Sequence, residues 1–241
     1  MIVKKPYILE SIIKETDNVN LYRFRAQDHA SLDFTPGMFA MLYYRDQATG
    51  EEIGRAYSIA SEPGVDYLDF IIELVHGKLT SKLELAKEGD IYYISAPYGQ
   101  FKFDTSLGSK FLFLAGGTGI APFFSMLKYA AKNAIDADIV VIDSVRYPSS
   151  IIAKQDLDAL QALEKPKIRC IITVTRPQPG DGWTGATGHI DANMLAKYVP
   201  DLAERVCYIC GPLGFTKAMK DLLSSLGMPT QKIKTEMWGG G

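Results

Sequence analysis

Over the first hundred residues, apolar and polar positions alternate in short runs. Runs at 7–14, 20–25, 39–44, 55–59, 67–74 and 90–95 carry the period-two pattern of half-buried strands. Turn-forming residues separate them, at Pro36-Gly37, Thr49-Gly50, Pro63-Gly64 and Glu88-Gly89-Asp90. Six strands of this length predict a small antiparallel β-barrel. The pattern changes near 105–109. Continuous apolar runs at 111–115, 139–142, 168–174 and 206–210, and a last strand at 232–235, then alternate with helical stretches at 122–132, 151–163, 191–198 and 215–226. Strands that are apolar on both faces, interleaved with helices, predict a doubly wound parallel α/β sheet. The chain therefore reads as two domains of β and α/β type, 1–105 and 106–241.

Composition narrows the class without naming a function. The 241 residues include 47% hydrophobic and 22% charged side chains, with a net charge of -2. That balance fits a globular protein and offers no basic field for nucleic acid. No apolar run reaches the roughly 18–20 residues that span a bilayer. The start, Met1-Ile2-Val3-Lys4-Lys5-Pro6, lacks the apolar core of a signal peptide, so a cytoplasmic location without a membrane span is expected. The three cysteines, Cys170, Cys207 and Cys210, do not make a disulfide framework. Cys207 and Cys210 fall three apart on one strand and would point to opposite faces. No second pair completes a zinc or iron–sulfur site, so no metal is expected.

Several constellations carry chemistry. Gly117-Thr118-Gly119 follows an apolar strand and opens a helix with Pro122 in its first turn. Small residues there let a pyrophosphate approach backbone N–H groups at a helix start. On the fourth strand, Arg55 and Tyr57 share a face opposite Ala56 and Ser58. A guanidinium fork holds phosphate, and a phenol ring stacks on a flat heterocycle. Gly77-Lys78-Leu79-Thr80 opens a short helix at 80–86, a second place for N–H groups to meet phosphate. Cys210-Gly211-Pro212 ends a strand on the rim where α/β sheets gather ligands. Glu236-Met237-Trp238 places an indole near the chain end, where it must pack on something. Each has a plainer alternative: a tight turn, a surface arginine, a buried thiol or a core tryptophan.

Taken together and in order, these segments resemble the ferredoxin–NADP⁺ reductase superfamily along nearly the whole chain. The resemblance covers Arg55-Ala56-Tyr57-Ser58, Gly77-Lys78-Leu79-Thr80, Gly116-Gly117-Thr118-Gly119-Ile120-Ala121-Pro122, the loop from Trp183-Thr184-Gly185 to Gly188-His189-Ile190, and Cys210-Gly211-Pro212. It implies a flavin-binding barrel beside a nicotinamide-nucleotide domain. By resemblance, Arg55 contacts flavin phosphates, Tyr57 stacks on the isoalloxazine, and Ser58 hydrogen-bonds near N5. Ala56, Val75, Gly77, Lys78, Leu79 and Thr80 complete the flavin contacts. Gly117, Thr118, Gly119, Pro122, Thr175, Cys210, Gly211 and Pro212 hold the nicotinamide nucleotide. Trp238 covers the nicotinamide-facing side of the flavin. Ser58, Cys210, Glu236 and Trp238 are the residues implied at the reacting rings. The separate arginine and glycine-turn phosphate contacts favour FAD over FMN.

Arg146 and Arg176 resemble positions that bind a 2′-phosphate, so NADP(H) is favoured over NAD(H). Asp143, read as the end of the second α/β strand, argues the other way, because a carboxylate there suits free ribose hydroxyls. The implied activity is an NAD(P)H-dependent flavoprotein reductase passing electrons to a redox protein acceptor. Ferredoxin, flavodoxin, an oxygenase component and a quinone all remain open. The alternatives are a flavin-carrying subunit of a larger complex and a reductase of free flavin. The absence of a cysteine-rich segment implies no fused iron–sulfur module. Lys4, Lys5, Lys14, Arg23 and Arg25 are read either as a solvated strand face or as a face for an acidic partner.

Overall fold

The structure, a computed structural model, describes residues 3–46 and 49–238. The chain divides into two compact units, Met1–Phe103 with Ala121–Tyr129 and Asp104–Ile120 with Ala130–Gly241. The first holds β1 (Lys5–Lys14), β2 (Val19–Ala26), β3 (Phe39–Arg45), β4 (Glu52–Ser58), β5 (Tyr67–Glu73), α1 (Thr80–Glu84) and β6 (Ile91–Tyr98). These strands form one antiparallel sheet in the order β4-β3-β6-β1-β2-β5. All six strands give side chains to a single core, among them Leu9, Phe24, Leu42, Ile53, Phe70 and Tyr92. The sheet is thus wrapped around its own apolar face, as the strand pattern predicts. The alternation is plain where β2 meets β5. Tyr22 and Phe70 pair inward, while the next pair outward is Arg23 and Asp69. Those two join through a bidentate contact, Nε to Oδ1 at 2.8 Å and Nη2 to Oδ2 at 2.9 Å.

The remaining elements are β7 (Lys110–Gly116), α2 (Ala121–Lys132), β8 (Asp138–Val145), α3 (Lys154–Gln161), β9 (Lys167–Val174), β10 (Ala186–Thr187), α4 (Ala192–Tyr198), β11 (Val206–Pro212), α5 (Leu213–Ser225) and β12 (Ile233–Trp238). The second sheet runs β10-β9-β8-β7-β11-β12, with every neighbour parallel. Leu112, Leu114, Val140, Ile142, Cys207 and Ile209 pack one face against Leu195 of α4 and Leu223 of α5. Three of the differences from the sequence expectation have a plain cause. The helix expected over 151–163 starts only at Lys154, because Ala153 takes a left-handed φ of 47° that breaks the helical path. The last strand extends to Trp238, since its ladder with β11 continues from Ile233 to that residue. β10 has two residues, too few to leave a pattern in the sequence.

Two buried ionisable groups stand out in this sheet. At the start of β7, β8 and β11 lies Arg205, 1% exposed. Its Nε and Nη2 donate to Asp201 at 2.8 and 3.1 Å, Nη2 also to Asp138 at 3.0 Å, and Nη1 to the Phe111 and Asp138 carbonyls at 2.9 and 3.1 Å. One side chain thereby ties three strand starts. Hydrogen bonding from Arg205, the largest cause, helps hold the Asp201 carboxyl down to about 2. Further along β8, Asp143 is 1% exposed, and neither of its oxygens has a hydrogen-bond partner among the described residues. Burial pushes this carboxyl up to about 7.

Two outcomes follow for stability. Arg205→Ala takes this partner from the Asp138 carboxylate and two strand carbonyls and leaves Asp201 with Lys110 alone, and should cost about 3–5 kcal/mol in urea unfolding; a loss below about 1 kcal/mol would mean the network contributes little. For Asp143, both folded and unfolded chains are protonated below the ordinary carboxylate range, so no ionisation penalty opposes folding there. As pH rises toward about 7 only the unfolded chain ionises, and the folded state loses ground until the buried group also titrates. The stability of Asp143→Asn relative to the parent should therefore climb between about pH 4.5 and about pH 7.5. A flat difference across that window would show that the carboxyl titrates normally.

Candidate functional site

In the first unit the candidate residues gather where β4 runs beside the turn before α1. Arg55 lies on an exposed part of β4, and its Nη1 donates to the Gly54 carbonyl at 2.8 Å. It forms no ion pair among the described residues, so its charge is available to an anion. Tyr57 is half-buried, with its ring 6.4 Å from that of Phe70. Burial is the main cause that pushes its phenol up to about 12, so it stays neutral. Ser58 closes β4 opposite Phe39. The Gly77–Thr80 turn sits against the same hairpin. Lys78 Nζ is 3.4 Å from Glu51, and Lys82 Nζ is 3.2 Å from Asp46. Leu79 is buried in the core that Tyr57 packs on. The Thr80 hydroxyl accepts from the Gly77 N–H at 2.8 Å and is buried, so it closes the turn instead of facing outward. Val75 is 63% exposed just before this turn. A cationic fork, a half-buried phenol and a tight turn that opens a short helix suit a flat ring joined to phosphates.

In the second unit three segments converge on Gly119. A Cβ placed there would lie 2.1 Å from the Cys210 carbonyl oxygen and 2.9 Å from the Trp238 ring. The loop after β7 therefore rests directly on the end of β11, with the indole beside it. Thr118 is half-exposed next to that contact, and Gly117 takes a φ of 57° over open space. Pro122 occupies the first turn of α2, where its missing N–H leaves no bond unmade. Ala115, Cys210 and Glu236 form one row across β7, β11 and β12, and Pro212 pairs with Trp238. Cys210 is fully buried; burial, and then Glu236, raise its thiol well above the ordinary range, so it stays protonated. Phe215, which the motifs do not single out, lies flat on Gly211 and Gly116. The only trace of it in the sequence is the pair of glycines that make room for its ring.

The other nucleotide candidates sit at the ends of β8 and β9. The Arg176 N–H donates to the Arg146 carbonyl at 2.9 Å, which brings two exposed arginines side by side. Neither forms an ion pair among the described residues. Thr175 is used locally, its N–H and hydroxyl both meeting the Val145 carbonyl, at 2.9 and 3.2 Å. The Asp143 argument for NAD(H) is corrected: two residues of β8 follow it, and its carboxyl is enclosed, so it cannot reach a ribose. The Trp183 loop is locked on itself and on β9. Trp183 Nε1 donates to the Ala186 carbonyl at 2.9 Å, and Thr173 Oγ1 to the Gly188 carbonyl at 2.7 Å. A cavity of about 340 Å³ beside that loop is lined by Trp183 and Gly185 of the loop together with Lys154, Leu157, Cys170 and Tyr198, and by none of the residues read above as flavin or nucleotide contacts.

The cationic strand face of the first unit is already neutralised. Lys4 pairs with Glu52, Lys5 with Asp28, Lys14 with Asp17, Arg23 with Asp69, and Arg25 with Glu10 and Asp66. No free basic patch for an acidic partner is built from these five residues. No helix among the described residues is long and apolar enough to cross a membrane, and no cluster of metal-ligating side chains is present among them.

Comparison with known proteins fits both halves. Residues 6–103 match the oxidoreductase FAD-binding domain family, and residues 113–221 match the oxidoreductase NAD-binding domain family. The chain is 31% identical over 231 residues to a glycine betaine monooxygenase reductase subunit of Pseudomonas aeruginosa, covering 95% of this chain and 62% of that protein. It is 28% identical over 250 residues to an NADPH nitrate reductase of Aspergillus niger, covering 92% of this chain and 28% of that one. It thus spans less than two thirds of the length of these relatives. In fold, it matches the cytochrome b5 reductase domain of Ulva prolifera nitrate reductase with a TM-score of 0.83, at 23% identity and 97% coverage of both chains. It also matches a ferredoxin NADP⁺ reductase from Neisseria gonorrhoeae with bound FAD and NADP, with a TM-score of 0.81, 21% identity and coverage of 97% and 98%. With an antiparallel flavin-type sheet, a parallel nucleotide-type sheet and a domain match on each, the chain belongs to the ferredoxin–NADP⁺ reductase superfamily.

Proposed function

We propose that this chain is an FAD-dependent NAD(P)H reductase that prefers NADPH and delivers electrons to a separate redox protein. The observation that carries the reading is the meeting of the glycine loop, the Cys210 carbonyl and the Trp238 ring at Gly119. Such a junction offers backbone N–H groups to a pyrophosphate and an aromatic plate where a pyridine ring would lie. When bound, the flavin would take a hydride from the coenzyme and release electrons to the acceptor. The protein's own part is orientation. Arg55 and the Gly77–Thr80 turn hold the phosphates, and Tyr57 supports the ring. Ser58 supplies a hydroxyl at its edge. The neutral Cys210 thiol presents a small uncharged surface to the nicotinamide, with Glu236 beside it. Trp238 occupies the nicotinamide place on the second unit and moves aside when coenzyme enters, a gating step.

Arg146 and Arg176 support the choice of NADPH, because two exposed arginines on adjoining backbone, neither in an ion pair among the described residues, suit a 2′-phosphate. The acceptor we favour is an oxygenase component, on the likeness to the glycine betaine monooxygenase reductase subunit. A second reading, a flavin-carrying subunit, draws on the share of that relative which this chain spans, 62%. Another module would then take the electrons. Purified protein with NADPH and ferricyanide separates the two: rapid turnover fits the reductase, and flavin bleaching without turnover fits the subunit. Protein that remains colourless after reconstitution with FAD would end both.

Two substitutions probe the assignments. Trp238→Ala removes the ring that competes with nicotinamide, so NADP⁺ should bind more tightly in a titration; unchanged affinity would count against gating. Arg176→Leu should lower kcat/KM for NADPH about 10- to 100-fold, the loss of one charge-assisted bond to phosphate, with little change for NADH. Equal losses with both coenzymes would remove the 2′-phosphate role.

A further inference from the structure

Beneath the junction at Gly119, two consecutive side chains of α5 touch the ends of three different strands. Thr216 is 1% exposed, and its Oγ1 lies 3.2 Å from the Gly211 carbonyl and 3.5 Å from the Glu236 carbonyl. The hydroxyl has one proton, so it donates to the nearer oxygen and makes a longer, weaker contact with the other. The neighbouring Phe215 lies against Gly211 and Gly116, where an added Cβ would come within 2.6 and 2.9 Å of its ring. One helical turn thus grips the end of β7, the Cys210-Gly211-Pro212 turn and the β12 tail that carries Trp238. Pro212, the residue that caps α5, provides no side-chain bond of its own.

We propose that Thr216, with Phe215 as its support, is a positioning residue for the nicotinamide ring. The inference rests on the function proposed above. Gly211 is held on one side by the Thr216 hydroxyl and on the other by the Phe215 ring. The carbonyl of the preceding residue, Cys210, is the one against which Gly119 packs. A shift at Gly211 therefore moves the Cys210 wall relative to Thr118, and moves the Trp238 plate with it. Phosphate contacts at Gly117 lie outside this grip, and coenzyme affinity depends on them. Thr216 accordingly acts on the rate of ring chemistry more than on coenzyme binding. β-Branching limits threonine to two χ1 rotamers in a helix, so few conformations compete with the one that aims the hydroxyl at the carbonyl.

The test uses the full chain loaded with FAD, in a Trp183→Phe background so that Trp238 is the sole fluorophore tryptophan. Thr216→Val keeps the shape and removes the hydroxyl; Thr216→Ser restores it. Without any coenzyme, the acrylamide quenching constant of Trp238 should rise about twofold in the valine variant and return in the serine variant, because the tail loosens. With saturating coenzyme, kcat per bound flavin should fall about tenfold in the valine variant while KM changes less than about threefold. A folded Thr216→Val variant with parental quenching and parental kcat overturns the proposal, as does a loss confined to KM. If the valine variant does not fold, Phe215→Leu leaves the hydroxyl in place and tests the same grip; parental quenching and kcat there also overturn it. Failure of the functional reading looks different: the background protein itself is then not reduced by either coenzyme, whatever the quenching series shows.

Discussion

The second unit depends on one close approach, the backbone of Gly119 lying on the carbonyl of Cys210. Any side chain at Gly119 would overlap that oxygen, so the loop after β7 and the end of β11 can share a surface only because the residue is glycine. The contact draws the last strand in as well, since Trp238 packs on the same glycine and Cys210 is in register with Glu236. Elements that are far apart in sequence are brought to one rim by the parallel order of β7, β11 and β12. Brought together there, they leave N–H groups, a thiol and an indole around one spot.

The opposite end of the sheet is built in another way. There Arg205 supplies five hydrogen bonds to Asp201, Asp138 and Phe111, binding the strand starts with charge instead of apolar packing. Buried charge is costly unless every donor is met, and here each is. Asp143 is the converse: a carboxyl enclosed in β8 whose oxygens have no hydrogen-bond partner among the described residues, kept tolerable by holding its proton. One sheet thus carries a fully hydrogen-bonded base and, further along β8, a carboxyl without partners among the described residues.

Much of this was legible in the sequence. Period-two runs found strands of the first sheet where one face is buried and the other more open, as along β1 and much of β2; β5 is buried on both faces. Continuous apolar runs found β7, β8 and β11 because those strands are buried on both faces, and β9 although its first residues alternate with exposed Lys167 and Arg169. Glycine and proline marked the turns at Gly117–Gly119 and Gly211–Pro212, where the backbone itself does the work. The misses have physical causes. Asp143 was misread because sequence position near a strand end does not reveal which way a side chain is enclosed. The ion pairs of Lys4, Lys5, Lys14, Arg23 and Arg25 were illegible because each partner comes from sequence-distant or turn positions that only folding or local turn geometry brings near. Thr216 and Phe215 left no motif, since their importance comes from which three strand ends meet over them.

The bond between the Arg176 N–H and the Arg146 carbonyl is made by main chain alone. It fixes where both side chains begin while being indifferent to what those side chains are. Replacing either arginine leaves the loop path intact, so on the reading proposed here discrimination between the two coenzymes is a modular trait. It can drift during evolution, or be redesigned, without reopening the architecture that does the chemistry.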